Sequence, residues 1–487
     1  MWSIARERGA GSSALFVKVA VAIADDIRRG ALQAGDRLPS TRALAGQFSV
    51  NRNTIVAAYD ELIAQGWVVT RGPGGTFVSD ELPERTVRSA PVIRGIAARP
   101  GYEVRTLPSV RAPFGPSSVT YHLSGGVPDT RLLPSAMLSR AYRRVLRSKA
   151  GRTGLDYAEP HGAPRLRAAI AAMLRTQRGV PATAENILIT RGSQMALDLA
   201  TRLLVRPGQV VAVEELGYGP AWRAFEEAGA RLAPISLDNQ GVVVESLPAG
   251  ARCVYVTPHH QYPTTVLMAP ARRMALLERA RRERFVILED DYDHEFHFDG
   301  RPVAPLAADD PGGNVISLGT LSKILAPGLR LGFVAAPERV IEGLARLRTI
   351  ADRQGDHVLE LAVADLIEDG ELQRHARKMR RAYEARRDAL VSSLRRELGD
   401  ALTVELPAGG ITLWARVASD IALDAWCERA RARGVAISTA RDFALDGKPR
   451  PFLRLAYGRY SESELADAVR RLRDALPRGN SSTKLRA

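Results

Sequence analysis

The chain has 487 residues, more than one ordinary core holds, so two or three domains are expected. Its apolar fraction is that of a soluble globular protein, with no run near the ~20 apolar residues of a membrane helix; the opening MWSIARERGAGSS lacks a signal-peptide core, so a cytoplasmic protein without a membrane partner is expected. The net charge of +15 favours an anionic partner such as DNA, although an arginine-rich surface alone gives the same figure, and the two cysteines, Cys253 and Cys427, exclude a disulfide framework and a cysteine metal cluster and read as small buried hydrophobes.

Residues 15 to about 78 read as three helices and a hairpin. In LFVKVAVAIADDIRRG, Phe16, Val19, Ile23 and Ile27 recur at helical steps, and Gly30 can close the helix. PSTRALAGQF offers Ser40 as N-cap with Leu44 and Phe48 facing inward. In SVNRNTIVAAYDELIAQG, Asn51 caps, Ile55, Tyr59 and Leu62 form the buried stripe, and Gly66 ends the helix. Two β-rich arms, Trp67 to Thr70 and Thr76 to Val78, flank a Gly/Pro turn and form a wing. Residues 1–80 are thus expected to be a winged helix-turn-helix, and the aperiodic, Pro- and Arg-bearing stretch 81–118 a linker.

From 119, short apolar strands (ENILIT, VVAV, RCVYVTP, FVILEDD, NVISLGT, RLGFVAA) alternate with helical patterns, which predicts an α/β fold of parallel strands with crossover helices. The pattern turns long and helical from about 355. After Pro407 it becomes mixed α and β, which suggests a small C-terminal lobe within a domain spanning 119–478. The tail 479–487 is expected to be disordered.

A recognition helix presents polar side chains at its N-terminal end to the major groove while its other face packs inward. Asn51, Arg52, Asn53 and Thr54, followed by the apolar stripe, have that layout. Arg42 could reach the groove or a phosphate, and Arg71 with the Gly74-Gly75-Thr76 backbone could hold flanking phosphates. The same pattern also suits a winged-helix protein-interaction module with ordinary polar caps. The string LQAGDRLPSTRALAGQFSVNRNTIVAAYDELIAQGWVVTRGPGGTFV, however, resembles the winged helix of GntR-type bacterial regulators over essentially its whole length. That resemblance implies binding to a double-stranded DNA operator through Arg42, Arg52, Asn53, Thr54 and the wing glycines.

A pyridoxal phosphate site needs an amine for a Schiff base, an anion at the pyridine nitrogen, phosphate donors and a stacked aromatic ring. Lysines are few, and Lys323 in SLGTLSKILAPGLRLG follows small hydroxyl residues and precedes Arg330, which makes Thr320, Ser322 and Arg330 the candidate phosphate donors. FVILEDDYDHEF ends a buried run in acids: Asp290 can pair with the pyridine nitrogen and Tyr292 can bond the ring hydroxyl, although in isolation such acids could equally solvate a strand end or bind a metal. ITRGSQMALDLA places Ser193 and Gln194 at a helix N-terminus suited to phosphate, a turn common to most α/β proteins. Tyr218 could stack on the ring or simply be core. No metal site is assigned.

Together these segments resemble fold-type I aminotransferases, with G-S-Q, Tyr218, Asp290-x-Tyr292, and S-K with a downstream arginine in the family's order. The resemblance implies that Tyr157 reaches the phosphate of the neighbouring subunit and that Arg454, in PFLRLAYG, grips a substrate or effector carboxylate. Tyr262, in TPHHQYPTT, stands where ordinary aminotransferases carry asparagine. This H-Q-Y-P form, EDDYDHEF and the GntR-like domain resemble the MocR subfamily of regulators. The resemblance implies a head-to-tail homodimer in which an incoming amine displaces Lys323 from the cofactor and DNA occupancy is the output. Two rival readings stand beside it: a working aminotransferase with a fused DNA-binding domain, and a DNA-binding module carrying a catalytically dead fold.

Overall fold

The computed structural model describes residues 15–83, 101–105, 119–300 and 303–477. The chain divides into two compact units between residues 109 and 110. Most of the expected linker and all of the expected disordered tail lie outside the described residues.

In the first unit, the helices Leu15–Arg28, Thr41–Phe48 and Arg52–Ala64 precede a hairpin of Val68–Thr70 and Thr76–Val78, paired Val68 to Val78 and Thr70 to Thr76. The caps act as the sequence demands: Ser40 accepts from the Ala43 N–H at 3.2 Å, and Asn51 from the Asn53 N–H at 2.9 Å. Val19, Ile23, Leu44, Ile55, Leu62 and Trp67 make one buried core that seats the third helix on the first two and on the hairpin. Burying each large apolar side chain contributes roughly 1.5–3 kcal/mol, which is how so small a unit holds two short helices at a fixed angle.

The second unit is built on a seven-stranded sheet in the spatial order Ile187–Thr190, Gly332–Ala335, Val315–Thr320, Val286–Asp291, Cys253–Val256, Val210–Glu214, Arg231–Ile235. Apart from the edge strand Arg231–Ile235 its strands are almost wholly buried, as expected of a sheet covered by helices on both faces. Six strands run parallel, but Gly332–Ala335 runs antiparallel to both neighbours, unlike the all-parallel expectation. The cause is the connection before it: residues 321–331 contain no crossover helix, so the chain returns directly alongside the strand it has just left. That return carries Lys323 and Arg330 over the end of the sheet where the parallel strands finish. The edge strand Arg231–Ile235, charged at its start and carrying Pro234, has no counterpart in the sequence reading.

A 28-residue helix, Glu371–Leu398, leads to a four-stranded antiparallel sheet ordered Leu402–Val404, Thr412–Val417, Phe452–Ala456, Ser438–Thr439. This lobe starts slightly before the expected Pro407. Tyr121–His122 pairs with Val435–Ala436, so the first described stretch of the second unit belongs structurally to the C-terminal lobe.

Candidate functional site

The N-terminal end of the third helix is the polar surface of the first unit. Asn51, Arg52 and Asn53 are exposed and Thr54 is half-buried, while Ile55, Ala58, Tyr59 and Leu62 are turned inward. The Asn51 oxygen is engaged as the cap. Arg42 is exposed on the preceding helix, and Thr41 beside it accepts a bond from Arg52 Nε at 3.4 Å. In the wing, Arg71 pairs with Asp80 at 2.7 Å, both side chains well exposed. Such a pair is worth about 0–1 kcal/mol, so a phosphate can displace the carboxylate at little cost. Gly75 has φ +106°, and a Cβ there would meet the Arg37 guanidinium at 3.2 Å. Arg37 bridges Phe77 and places a further exposed cation against the wing. It was legible only as part of the GDRLPS string.

In the second unit, the C-terminal ends of five parallel strands supply the groups for a second site. Asp290 is the penultimate residue of the strand Val286–Asp291 and is 5% exposed. Its Oδ2 accepts from the Tyr255 hydroxyl at 2.7 Å, and its Oδ1 is buried without a partner. Burial pushes the Asp290 carboxyl up to about 6, against the Tyr255 bond, which lowers it. Lys323 donates to the Gly126 carbonyl. Burial first, and then the nearby Arg454 charge, push its amine down to about 8. Both groups are thus poised nearer neutrality than a surface acid and amine would be.

Ser193 and Gln194 occupy the first turn of Ser193–Leu204, where backbone N–H groups have no helical partner. Gln194 Nε2 reaches the Pro220 carbonyl at 3.4 Å. Arg330, with φ +50°, donates to the Arg191 carbonyl at 2.9 Å, and its guanidinium lies 2.8 Å from where a Cβ of Gly192 would be. Thr320 accepts from the Ser322 N–H at 3.1 Å and its hydroxyl also faces the Leu331 carbonyl, whereas Ser322 Oγ is buried and unpartnered. Tyr218 immediately precedes the helix Gly219–Glu227, and its ring stands edge-on to Tyr262 at 5.4 Å. Tyr292 donates to the His260 carbonyl at 2.9 Å. Arg454 is only 3% exposed, donates to the Ser124 carbonyl at 3.1 Å and lies over the Tyr262 ring at 4.4 Å. Tyr157 is not gathered in: it is 76% exposed, beneath the Arg353 guanidinium at 4.2 Å.

This donor set fits pyridoxal phosphate. The unpartnered Asp290 Oδ1 can face a pyridinium, the unpartnered Ser322 Oγ, Arg330 and the helix N-terminus can face a phosphate, and Lys323 is an amine of lowered basicity among them. The sequence reading missed three parts of the region. Tyr255 sits in a strand whose apolar neighbours hid its hydroxyl, and Ser124 to Gly126 act only through carbonyls. In a buried group of four histidines, His259, His260 and His294 stood only inside motif strings, and His297 was not singled out at all. Burial and then the neighbouring His260 push His259 down to about 2, leaving a neutral ring.

Residues 15–78 match the bacterial regulatory proteins of the gntR family, and residues 121–472 match aminotransferase class I and II. The probable rhizopine catabolism regulatory protein MocR of Rhizobium meliloti is 33% identical over 455 residues, covering 92% of this chain and 91% of that protein. The chain belongs to the MocR subfamily of GntR-type regulators. Among solved structures, this MocR-type chain resembles the multiple substrate aminotransferase of Thermococcus profundus at 30% identity and a TM-score of 0.69, covering 74% of this chain and 92% of that one. It also resembles LysN, the α-aminoadipate aminotransferase of Thermus thermophilus complexed with N-(5'-phosphopyridoxyl)-L-leucine, at 28% identity and a TM-score of 0.68, with the same coverages. The regulator therefore carries a fold-type I aminotransferase domain behind its winged helix. No helix among its described residues is long and apolar enough to cross a membrane.

Proposed function

We propose that this MocR-type regulator is a cytoplasmic homodimer that binds a specific double-stranded DNA operator. In this reading it holds pyridoxal phosphate at Lys323 and changes its DNA occupancy when a carboxylate-bearing amine enters the cofactor site. When bound, the cofactor supplies an electron-withdrawing ring and an aldehyde carbon that Lys323 can engage. The chain's own residues do the rest. Asp290, fixed by Tyr255, holds the proton on the ring nitrogen; Arg330, Ser193, Gln194 and Ser322 hold the phosphate; Tyr218 packs on the ring; Arg454 offers its fork to a carboxylate. Tyr157, exposed on its own subunit, is available to the phosphate of a head-to-tail partner.

The observation that carries the sensor reading is the shared anchor of Lys323 and Arg454. They donate to the carbonyls of Gly126 and Ser124, in the first described stretch of the second unit. Cofactor and effector compete with that segment for these two cations, so site occupancy is converted into release of a stretch of backbone on the side of the second unit's chain that leads, in sequence, to the DNA-binding unit. On this reading Arg42, Arg52, Asn53 and Thr54 read the groove, with Asn51 capping their helix and Arg71 and the Gly75 backbone holding phosphates.

The test is fluorescence anisotropy of a labelled duplex from upstream of the protein's own gene. It is titrated at two salt concentrations, with and without pyridoxal phosphate, against a scrambled competitor. Binding that survives the competitor, responds to the cofactor and is lost in Arg52→Ala supports the regulator. Binding that ignores sequence and collapses with salt means that net charge alone was responsible. The rival reading, a working aminotransferase, is favoured by the retention of nearly all of the cofactor donor set, Tyr262 in place of asparagine being the departure. Sustained conversion of an amino donor and a keto acceptor, beyond one turnover per site, would establish it.

A further inference from the structure

Beside the cofactor site, and joined to it through Tyr292, four imidazoles meet. His259 and His260 come from the loop after the strand Cys253–Val256, and His294 and His297 from the turn after Val286–Asp291. Ring centroids lie 4.4 Å apart for His259 and His260, 5.4 Å for His259 and His297, and 5.8 Å for His260 and His297. One nitrogen from each of His259, His260 and His297 lies within 4.8 Å of the others.

A buried imidazole without hydrogen bonds is costly, because its polar nitrogens have left water for nothing. Here both nitrogens of His259, Nε2 of His260 and Nδ1 of His297 are buried and unpartnered. All three residues are at least nine-tenths buried, at 4%, 1% and 4% exposure. The remaining contacts are those that orient ligands. Asp293 Oδ1 lies 2.8 Å from His260 Nδ1, fixing that nitrogen as the donor and leaving Nε2 with its lone pair free. This is the carboxylate–histidine arrangement that supports bound metals, and it is itself buried. A cavity of about 350 Å³, lined in part by His294, His297, Gln177 and Gln373, adjoins the cluster and offers an access route and a place for a fourth, solvent ligand.

We propose that His259, His260 and His297 bind one first-row transition-metal ion, with Zn²⁺ the best match to three neutral imidazoles and an open fourth position. In a tetrahedral shell with ~2.0 Å bonds the ligand atoms stand ~3.3 Å apart, so nitrogens now within 4.8 Å of one another close in by up to about 1.5 Å. His259, with no hydrogen bond to break, is free to make most of that movement. The ion is held between the two large-unit loops and the C-terminal lobe. His297 bridges Gly409, and a Cβ on Gly409 would meet His260 Nε2 at 2.4 Å, so the lobe's backbone closes the site. It also stiffens the cofactor side, because the His260 carbonyl is the acceptor of the Tyr292 hydroxyl.

The experiment uses the full-length chain without a histidine tag, dialysed against Zn²⁺ and then against metal-free buffer, with metal counted by mass spectrometry. About one ion per chain is expected, with a strong chelator lowering the thermal midpoint and Zn²⁺ restoring it. Co²⁺ in its place should give the intense visible bands of a four-coordinate site. His259→Gln and His297→Gln, checked by circular dichroism, should lose the ion and the Co²⁺ bands, and Asp293→Asn should weaken binding by ~10–100-fold. A wild-type chain that retains no stoichiometric metal overturns the proposal whatever the variants do. So does a folded His259→Gln or His297→Gln variant that retains the wild-type content.

Discussion

Replacing Tyr255 by phenylalanine removes one oxygen from a wall of the cofactor site and leaves its volume almost unchanged. The hydroxyl it removes is the hydrogen-bond partner of Asp290 in this structure, at 2.7 Å and fully buried. A hydrogen bond to a charged group contributes about 1.5–3 kcal/mol, or roughly one to two pH units of carboxyl acidity. Asp290, already raised to about 6 by burial, should therefore titrate near neutrality or above in Tyr255→Phe. A neutral Asp290 cannot hold the proton on the pyridine nitrogen, so cofactor affinity at pH 6, where the variant's carboxyl is almost wholly protonated, should fall roughly tenfold or more relative to wild type, and the difference should shrink toward pH 8, measured by absorbance titration of the apoprotein. The stability of the apoprotein gives a second readout. A carboxyl whose folded value is raised contributes stability that is complete below its unfolded value, 3.8, and is lost as pH rises through the folded value. Urea midpoints of variant and wild type should thus diverge most above pH 7 and converge below about pH 5, where Asp290 is protonated in both. Unchanged affinity, or a stability difference that ignores pH, would refute the claim that Tyr255 acts through the charge on Asp290.

Lys323, at about 8 instead of 10.5, should capture cofactor with a rate that rises with pH to a midpoint near 8, because only the neutral amine adds to an aldehyde; a stopped-flow midpoint near 10.5 would contradict its burial. Gly192→Ala puts a Cβ at φ +76° against the Arg330 guanidinium at 2.8 Å, so isothermal titration should show cofactor affinity down at least tenfold with the circular dichroism spectrum unchanged. Arg454→Gln removes the carboxylate fork and one of the charges that depress Lys323; the effector response should weaken ~10-fold or more, while the cofactor spectrum persists and the capture profile moves to higher pH.

Legibility followed the type of signal. The winged helix could be read almost residue by residue because caps, apolar spacing and turn glycines all act within a few positions, as Ser40, Asn51 and Gly66 show. Lys323, Asp290 and Arg330 could be read because each is a charged residue interrupting an apolar run. The antiparallel strand Gly332–Ala335 could not, since its composition matches its parallel neighbours and only the missing crossover helix sets its direction. Tyr255 was hidden for a related reason: in a fully buried strand neither face alternates, so nothing marks which hydroxyl points at an acid. The histidines sit on two loops separated by more than thirty residues of sequence, and their convergence depends on the adjacent pairing of Cys253–Val256 with Val286–Asp291.

The energetics of the anchor decide whether the site can work as a switch. A ligand shifts a two-state equilibrium only by the difference in its affinity for the two states. Lys323 and Arg454 each hold a carbonyl of one short segment, through Gly126 and Ser124. Charged hydrogen bonds of this kind contribute about 1.5–3 kcal/mol each, and because an amine that displaces Lys323 from the cofactor frees that lysine again, each liganded state withdraws one cation and removes roughly 1.5–3 kcal/mol of restraint from the segment. That is short of the ~5.5 kcal/mol needed to move a population from 1:99 to 99:1 and corresponds to a shift of roughly ten- to a hundredfold in the equilibrium constant. The cofactor alone engages Lys323, whereas an amine bearing a carboxylate frees Lys323 and recruits Arg454. The same residues that an aminotransferase uses to select a substrate thus separate the two ligands in a sensor. It follows that a simple amine without a carboxylate should free Lys323 without recruiting Arg454, so that duplex anisotropy should show DNA binding close to that of the cofactor-free chain, and a response equal to that of a carboxylate-bearing amine would refute the role given to Arg454.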